Sequence, residues 1–329
     1  MSRKKIACLG AGTWGFTLAC LLGHKGHEVY CWARDPLLVA RLQKERSHPK
    51  LADSNAPASV HFTGSLDVAL SGVECLVESV TASGIRPVFQ EIASRTNVPV
   101  VLTSKGIERG TGLLLPELVS EIYKGPVGIL SGPSHAEEVI SQLPTSVVCS
   151  AYDTEWMQEI HELFVTPAFR VYPNTDIAGV AFGGAMKNII AIASGIADGL
   201  GSGDNAKAAL LTRGLHEMRK LSVAKNARPE TLNGLSGLGD LVVTCMSRYS
   251  RNYRLGKLLA EGYSPEGARQ KIGMAVEGIY TCAAARDLGR AHNIPIPITE
   301  GTYAILYEGL DPRVAVQTLL QRAIKQEHL

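Results

Sequence analysis

Short apolar runs alternate with longer amphipathic stretches through the first half of the chain. These runs are rich in Val and bounded by Gly, Pro or Asn, and they predict β-strands over Ile6–Gly10, His27–Ala33, Val60–Thr63, Cys75–Val80, Val98–Ser104, Val127–Ser131, Thr145–Cys149 and Phe169–Tyr172. Several are apolar almost throughout, which is typical of strands covered on both faces of a parallel sheet. Helical patterns separate many of them, including Thr13–Leu22, Pro36–Arg46 and Gly112–Tyr123. The alternation predicts βαβ units.

Strand patterns stop after about Asn174, and helical patterns follow. They cover Ile177–Ala197, Ala206–Lys225, Asp240–Met246, Arg251–Glu261, Val276–Asn293 and Val314–Glu327. The sequence therefore predicts an α/β protein with a doubly wound, Rossmann-like N-terminal domain and an all-helical C-terminal domain. We place a dinucleotide-binding domain at residues 1–176 and a helical substrate-binding and catalytic domain at residues 177–329.

Composition narrows the function classes. A length of 329 residues suits two domains at about 150 residues each. Lys and Arg minus Asp and Glu is 33 − 31, a net charge of +2, which argues against a strongly basic nucleic-acid binder. Ile177–Ala197 is the best candidate for a membrane helix, but Lys187 interrupts it. We expect no nucleic-acid partner and no membrane span.

The cysteines favour a reducing compartment. There are seven, widely spaced and without a C-x-x-C pair. An odd number at such spacing argues against a disulfide framework or a zinc site. We predict a cytoplasmic protein without a metal site.

A glycine motif follows the first predicted strand. Residues 6–15 read I-A-C-L-G-A-G-T-W-G, a strand followed by G-x-G-x-x-G and a helix. Gly10 allows the tight turn, Gly12 lets the backbone approach a pyrophosphate, and Gly15 lets helix and strand pack closely. The alternative is a glycine-rich turn that binds nothing. The position after a strand and before a helix favours a dinucleotide site.

The end of the second strand bears on the choice of cofactor. An Asp or Glu there usually bonds the ribose 2′-OH of NAD, whereas an Arg can accommodate the 2′-phosphate of NADP. Arg34 occupies this place, with Asp35 just beyond. Arg34 could be a solvated loop residue, or it could bind the 2′-phosphate. Our hypothesis is that the cofactor is NADP or NAD, with NADPH favoured.

One charge lies within the most apolar helical segment. Lys187 is the single formal charge between Ile177 and Gly195. Desolvating an ammonium group is costly unless it is paired or its pKa falls. Lys187 either extends to the surface from a half-buried helix or lies in a cleft and delivers a proton to a carbonyl. Asp240, with Thr244 one helical turn on, could hold it, or Asp240 could simply stabilise a helix N-terminus.

Other polar segments suggest an anion site. Residues 247–254 contain three arginines where a helix is predicted to begin near Arg251, an arrangement that suits a phosphate, although a solvated basic loop is the alternative. Lys105 and the segment Ser131–Ala136 follow predicted strands, where ligands of open α/β sheets bind. Lys105 could equally be an exposed loop residue.

Taken in chain order, these motifs resemble a known family. They are G-A-G-T-W-G, S-K-G-I-E, S-G-P-S-H-A, G-G-A-M-K-N, G-L-G-D-L-V-x-T-C, S-R-N-Y-R-x-G and A-V-E-G. The sequence resembles the bacterial NAD(P)-dependent glycerol-3-phosphate dehydrogenases over its whole length. The resemblance implies reversible reduction of dihydroxyacetone phosphate to sn-glycerol 3-phosphate for phospholipid synthesis, and a homodimer.

The resemblance also implies roles for individual residues. Lys187 resembles the proton donor and acceptor, with Asp240 and Lys105 beside it in the catalytic set. The implied cofactor contacts, beyond the three glycines, are Thr13, Trp14, Arg34, Lys105, Ala136, Arg251, Ala275 and Glu277. The implied substrate contacts are Lys105, Gly132, Ser134, Lys187, Asp240, Ser250, Arg251 and Asn252.

The sequence departs from the family at one loop. A V-P-S stretch is common there after the fourth strand, near the nicotinamide, whereas this chain has Val80-Thr81-Ala82-Ser83. Contacts from this loop are therefore not carried over. Two alternatives remain open from the residues: another reductase of similar architecture, such as one acting on ketopantoate, and a non-catalytic NADPH-binding sensor.

Overall fold

The fold is described from a computed structural model, which covers residues 2–51, 54–323 and 326. Contacts divide the chain into two compact units. The first contains the residues up to Ser104 together with Leu115–Ile177, and the second contains Lys105–Leu114 together with the chain from Ala178 onward. The assignment of functional domains to residues 1–176 and 177–329 stays a prediction.

An eight-stranded sheet forms the centre of the first unit. Its strands are β1 (Lys5–Leu9), β2 (Glu28–Trp32), β3 (Val60–Thr63), β4 (Cys75–Glu78), β5 (Val100–Leu102), β6 (Val127–Ser131), β7 (Thr145–Ala151) and β8 (Phe169–Pro173). Their order is β3-β2-β1-β4-β5-β6-β7-β8. Every predicted strand is confirmed, with ends shifted by up to two residues. The order reverses between β1 and β4, as in a doubly wound fold.

The pairing departs from a wholly parallel sheet at one place. The strands from β3 to β6 are parallel, but β7 runs antiparallel to β6, and β8 is parallel to β7. The helix of the β6–β7 connection spans only Ala136–Ile140. A parallel return usually contains a full crossover helix, which this connection lacks, whereas an antiparallel return does not need one.

Among the described residues, seven helices connect these strands. They are α1 (Thr13–His24), α2 (Pro36–Glu45), α3 (Leu66–Leu70), α4 (Ala82–Ile92), α5 (Leu115–Ile122), α6 (Ala136–Ile140) and α7 (Thr154–Phe164). The first helix is anchored by Phe16, Leu18 and Leu22, which are fully buried beside β1 residues such as Ile6 and Cys8. This core fixes where the glycine motif lies relative to the end of β1.

The described part of the second unit from Ala178 onward consists of helices and short connections, whereas its Lys105–Leu114 segment contains an isolated antiparallel bridge between Ile107 and Leu114. Its helices are α8 (Ile177–Gly199), α9 (Gly203–Ser222), α10 (Asp240–Met246), α11 (Arg251–Ala260), α12 (Pro265–Ile272), α13 (Glu277–Ala291), α14 (Pro297–Tyr307) and α15 (Pro312–Leu320). Short 3₁₀ or π turns cover Val223–Lys225, Pro229–Asn233 and Leu235–Gly239. The pattern predicts a last helix up to Glu327, but α15 ends at Leu320, and Glu327 itself lies outside the described residues.

Helix α8 is the core helix of the second unit. It is long and apolar enough to cross a membrane, but 94% of its most apolar window is buried inside the protein. A core helix of this kind meets the same length and composition criteria. A Cβ atom on Gly195 would lie 2.0 Å from the Tyr253 carbonyl oxygen, and one on Gly256 would lie 2.1 Å from that of Ile192. Glycine at both positions therefore lets α8 and α11 approach closely.

Candidate active site

The glycine motif has the geometry of a dinucleotide turn. Gly10 has a φ of 111°, and a Cβ there would lie 2.6 Å from the Ser79 carbonyl oxygen. A Cβ on Gly15 would lie 1.9 Å from the Gly10 carbonyl oxygen, so only glycine allows this packing. At Gly12 a Cβ would meet nothing within 4 Å. The space above Gly12 is thus open for a pyrophosphate, and the N-terminus of α1 begins there.

The residues expected to determine the preference between NADPH and NADH lie on the adenosine side of this turn. Thr13 and Trp14 are half-buried in the first turn of α1, and Arg34 is exposed just after β2. The Asp35 carboxylate accepts a hydrogen bond of 2.9 Å from the Leu37 backbone N–H and caps α2. Asp35 is therefore engaged in helix capping. The NADPH preference based on Arg34 stays a prediction.

A second predicted loop follows β6 in the same unit. Gly132 has a φ of 135°, and a Cβ there would lie 3.0 Å from the Val147 Cα atom. The Ser134 hydroxyl donates to the Gly132 carbonyl oxygen at 3.0 Å, and Ala136 begins α6. These residues lie beyond the carboxyl end of β6, the edge where ligands of such sheets bind. Their contacts with substrate or cofactor stay predictions.

Lys187 is held in a buried polar cluster of the second unit. It is 7% exposed, Asp240 is 1% exposed and Thr244 is 4% exposed. The Lys187 Nζ donates to Asp240 Oδ1 and, at 2.8 Å, to Thr244 Oγ1. The Thr244 hydroxyl in turn donates to the Asp240 backbone carbonyl at 2.6 Å. The predicted pairing of Lys187 with Asp240 and Thr244 is confirmed, and extension of Lys187 to the surface is excluded.

Lys105 joins the same cluster from a distant part of the sequence. It groups with the second unit and donates from Nζ to Asp240 Oδ2 at 2.6 Å. Its side chain is 18% exposed. The Asp240 carboxylate is therefore shared by two ammonium groups, one buried and one partly exposed. The sequence placed Lys105 after a strand but did not identify its partner.

The shared carboxylate controls the titration of the cluster. Burial lowers the pKa of Lys187 from 10.5 to about 8, while attraction to Asp240 limits the fall and repulsion from Lys105 adds to it. Burial alone would raise the pKa of the Asp240 carboxyl, but the two ammonium groups outweigh burial and hold that pKa below its usual 3.8. Lys187 can therefore give up or take a proton near neutral pH while Asp240 stays ionised.

The predicted anion site lies where α11 begins. Ser250 caps this helix by accepting a hydrogen bond of 3.2 Å from the Tyr253 N–H, and Arg251 is its first residue. The Asn252 amide donates to Asn188 Oδ1 at 2.8 Å and accepts from the Gly278 N–H at 3.0 Å. Asn252 thus connects α8, α11 and α13, which adds a structural function to its predicted substrate contact.

Sequence reasoning passed over Asn188. It is 6% exposed and next to Lys187 in the apolar helix α8, where its side chain receives the hydrogen bond from Asn252. A second polar residue in so apolar a helix is the signal that could have identified it. Ala275 and Glu277, the remaining predicted cofactor contacts, are half-buried where α13 begins. Their role stays a prediction.

Comparison with known families matches both halves of the chain. Residues 5–157 match the N-terminal model of NAD-dependent glycerol-3-phosphate dehydrogenase, and residues 176–317 match its C-terminal model. The two models together span the glycine motif, the Lys187 cluster and the start of α11. The resemblance stated from the motifs is therefore confirmed.

Individual relatives agree over the full length. Glycerol-3-phosphate dehydrogenase [NAD(P)+] of Protochlamydia amoebophila is 54% identical over 332 residues, covering 99% of this chain and 100% of the relative. The enzyme of the same name from Chlamydia muridarum is 52% identical with the same coverage. A crystal structure of glycerol-3-phosphate dehydrogenase from Coxiella burnetii is 38% identical, with a TM-score of 0.94 over 97% of this chain and 99% of that one. Agreement at this level in sequence and fold places the chain in the NAD-dependent glycerol-3-phosphate dehydrogenase family.

Proposed function

We propose that the chain catalyses the reversible NAD(P)H-dependent reduction of dihydroxyacetone phosphate to sn-glycerol 3-phosphate, a precursor for glycerophospholipids. The observation that carries the proposal is the buried Lys187 ammonium, held by Asp240 and Thr244. A buried amine with a pKa near 8 suits proton transfer to a carbonyl oxygen at physiological pH. Full-length relatives bearing this enzyme's name support the substrate.

Lys187 supplies the proton in this mechanism. The nicotinamide, when bound, supplies hydride to the carbonyl carbon. Lys187 donates a proton to the carbonyl oxygen and takes it back in the oxidation direction. Asp240 and Thr244 hold the amine in one orientation. Lys105, which shares the Asp240 carboxylate, adds positive charge that stabilises the developing oxyanion.

The phosphate of the substrate is assigned to the start of α11. Arg251 offers a guanidinium fork at the first position of that helix, where backbone N–H groups and the helix dipole also favour an anion. Asn252 is fixed by Asn188 and Gly278 and retains one amide hydrogen for a ligand. Ser250 holds the helix start in place through its capping hydrogen bond.

The direct test is oxidation of the reduced cofactor, followed by absorbance. NADPH with dihydroxyacetone phosphate is expected to turn over, and ketopantoate in its place is not. Turnover with ketopantoate alone would assign the chain to the alternative reductase. Cofactor binding without turnover of either substrate would favour the sensor.

We propose further that NADPH is the preferred cofactor, because Arg34 is exposed after β2 while Asp35 is engaged in capping α2. Replacing Arg34 with Asp should raise the KM for NADPH far more than the KM for NADH. Steady-state assays with each cofactor measure this, and equal changes in the two KM values would reject the preference.

We propose also a cytoplasmic homodimer. All seven cysteines are buried and free, which supports a reducing compartment. The dimer rests on the family resemblance. Sedimentation velocity at assay concentrations is expected to give a species of twice the chain mass, and a species of single mass would contradict the dimer.

A further inference from the structure

A buried carboxylate at the end of β4 is not used by the proposed mechanism. Glu78 is the last residue of that strand and is 0% exposed. Only Ser79 separates it from the segment Val80–Ser83, where the sequence departs from the V-P-S pattern of its family. A buried acid is costly unless its oxygens are well hydrogen-bonded, so its partners indicate what it does.

The Glu78 carboxylate holds together the chain segments that follow β4 and β5. Its Oε1 accepts from the Val80 N–H at 2.6 Å and from the Ser104 hydroxyl at 2.8 Å. Its Oε2 lies 3.4 Å from the backbone nitrogens of both Thr103 and Ser104. The Ser79 and Thr103 hydroxyls add a 2.7 Å hydrogen bond between the same two segments. One side chain thus fixes two loops at the carboxyl edge of the sheet.

These loops border the dinucleotide turn. A Cβ on Gly10 would lie 2.6 Å from the Ser79 carbonyl oxygen and 3.0 Å from the Val80 nitrogen. The strand order reverses between β1 and β4, and doubly wound sheets bind dinucleotides at that reversal. The residue that selects the adenosine ribose follows β2, so the half of the sheet beginning at β4 receives the other mononucleotide.

We propose that Glu78 is a positioning residue for the nicotinamide half of the cofactor. It acts through the backbone at Val80 and Ser104, because a fully buried side chain offers no surface to a ligand. The proposal rests on the proposed function only for the identity of the cofactor. Through these hydrogen bonds Glu78 holds the segment that leads from β4 into α4, whose first residues are Ala82 and Ser83.

A glutamine cannot replace this carboxylate without loss. Backbone N–H groups reach both oxygens, and a glutamine would present N–H donors where one of these oxygens stands. Facing donors leave buried groups unsatisfied, which displaces the loops. Burial raises the pKa of Glu78 to about 7, and hydrogen bonds from Ser104 and Val80 limit the rise, so the comparison with glutamine is made above that pH, where both oxygens only accept.

The test compares two ligands on Glu78→Gln. NADPH binding is followed by its fluorescence, and binding of 2′-phospho-ADP-ribose, which lacks the nicotinamide, by calorimetry. NADPH should bind roughly tenfold more weakly than to wild type, the size expected for unsatisfied buried donors. The fragment should bind within twofold of wild type. Equal weakening of both ligands, or of neither, would overturn the proposal.

A matched control separates positioning from general destabilisation. Glu217 is likewise buried at 4% exposure, and it accepts from the Ile298 and Thr299 N–H groups at the start of α14. Glu217→Gln should lower thermal stability and leave both dissociation constants unchanged. If Glu78→Gln does not fold, Ser104→Ala serves instead. The Ser104 hydroxyl lies 2.8 Å from Glu78 Oε1 and 2.5 Å from the Val80 carbonyl oxygen, so its loss loosens the same two segments. NADPH should then bind about threefold more weakly, with the fragment unaffected.

NADPH binding and turnover by the wild-type protein show whether this proposal or the proposed function has failed. If wild type binds NADPH but turns over no triose phosphate, the proposed function fails while the ligand comparison on Glu78→Gln still stands. If wild type turns over dihydroxyacetone phosphate and Glu78→Gln binds both ligands as wild type does, only the positioning proposal fails.

Discussion

Three charges meet in one small polar cluster at the residue scale. Asp240 is 1% exposed and accepts from both Lys105 and Lys187, so the cluster has a net charge of +1 in its protonated form. Breaking a buried ion pair by removing one partner is strongly destabilising, because it leaves an uncompensated charge. The second lysine changes this: when Lys187 is lost, Asp240 keeps Lys105. Lys187 can therefore be tested by substitution without leaving Asp240 unpaired.

Lys187→Ala should lower kcat for dihydroxyacetone phosphate reduction by about 10²–10⁴-fold, the usual size of general acid catalysis. NADPH should still bind with nearly the wild-type dissociation constant. Lys4→Ala is the control, because this lysine is also paired, to Glu159 at 2.6 Å, and lies in the first unit. A Lys187→Ala enzyme with near-normal kcat, measured beside that control, would remove Lys187 from the chemistry.

The lowered pKa of Lys187 predicts opposite pH profiles for the two directions. Below about pH 8 the amine carries the proton that reduction needs, and above it the amine is free to accept a proton in oxidation. The kcat for reduction should therefore fall, and that for glycerol 3-phosphate oxidation rise, as pH increases through about 8. Stopped-flow or steady-state rates from pH 6 to 10 measure this.

Asp240→Asn tests the cause of that titration. Removing the negative charge takes away the attraction that limits the fall in the Lys187 pKa, so both profiles should move to lower pH. Profiles that stay in place would show that another group controls the reaction.

At the scale of elements, the packing of α13 against α8 and α11 fixes the position of Asn252, a predicted substrate contact. A Cβ on Gly278 would lie 2.6 Å from Asn252 Oδ1 and 2.8 Å from the Asn188 carbonyl oxygen. Gly278→Ala should therefore push α13 away from α8 and α11, at about 1–3 kcal/mol of unfolding free energy, the usual cost of overpacking. It should also raise the KM for dihydroxyacetone phosphate, because Asn252 moves with it.

Gly301→Ala is the matched control for this packing. Gly301 lies inside α14, and a Cβ there would meet nothing within 4 Å. Alanine should raise stability by about 0.5–1 kcal/mol through helix propensity alone and leave KM unchanged. Denaturant unfolding and steady-state kinetics on both variants measure these changes. A Gly278→Ala enzyme with the stability and the KM of wild type would refute the packing argument.

The order of elements could be predicted from the sequence because it depends on local patterns. Runs of buried strand residues and the length of α8 are visible in the hydrophobic pattern, and Lys187 stands out as a charge within an apolar helix. The antiparallel direction of β7 could not be predicted, because it depends on how β6 and β7 are connected in space. The hydrogen bond between Lys105 and Asp240 could not be predicted either, because the two residues are 135 positions apart and local patterns hold no information over that separation.

At the scale of the whole molecule, buried titratable groups set opposing dependences of stability on pH. Burial raises the pKa of Glu217 from 4.5 to about 7, so the folded state keeps a proton that the unfolded state releases over this interval. Stability from this group therefore falls as pH rises from about 4.5 to about 7. Burial lowers the pKa of His48 from 6.5 to about 4, so its contribution rises over nearly the same interval. The two effects oppose one another, so neither is visible in the pH dependence of the wild-type unfolding free energy alone.

Glu217→Gln should expose the hidden slope. The glutamine does not titrate, so its loss of hydrogen bonding to Ile298 and Thr299 lowers stability by an amount that does not vary with pH. Relative to wild type, the variant should gain about 3 kcal/mol of unfolding free energy between pH 4.5 and 7, the linkage expected for this pKa difference. Denaturant unfolding of both proteins at several pH values measures the difference, in which His48 cancels. If the difference in unfolding free energy does not change over this interval, Glu217 has the same pKa in the folded chain as in water. Water would then have to reach its carboxyl group at the start of α14.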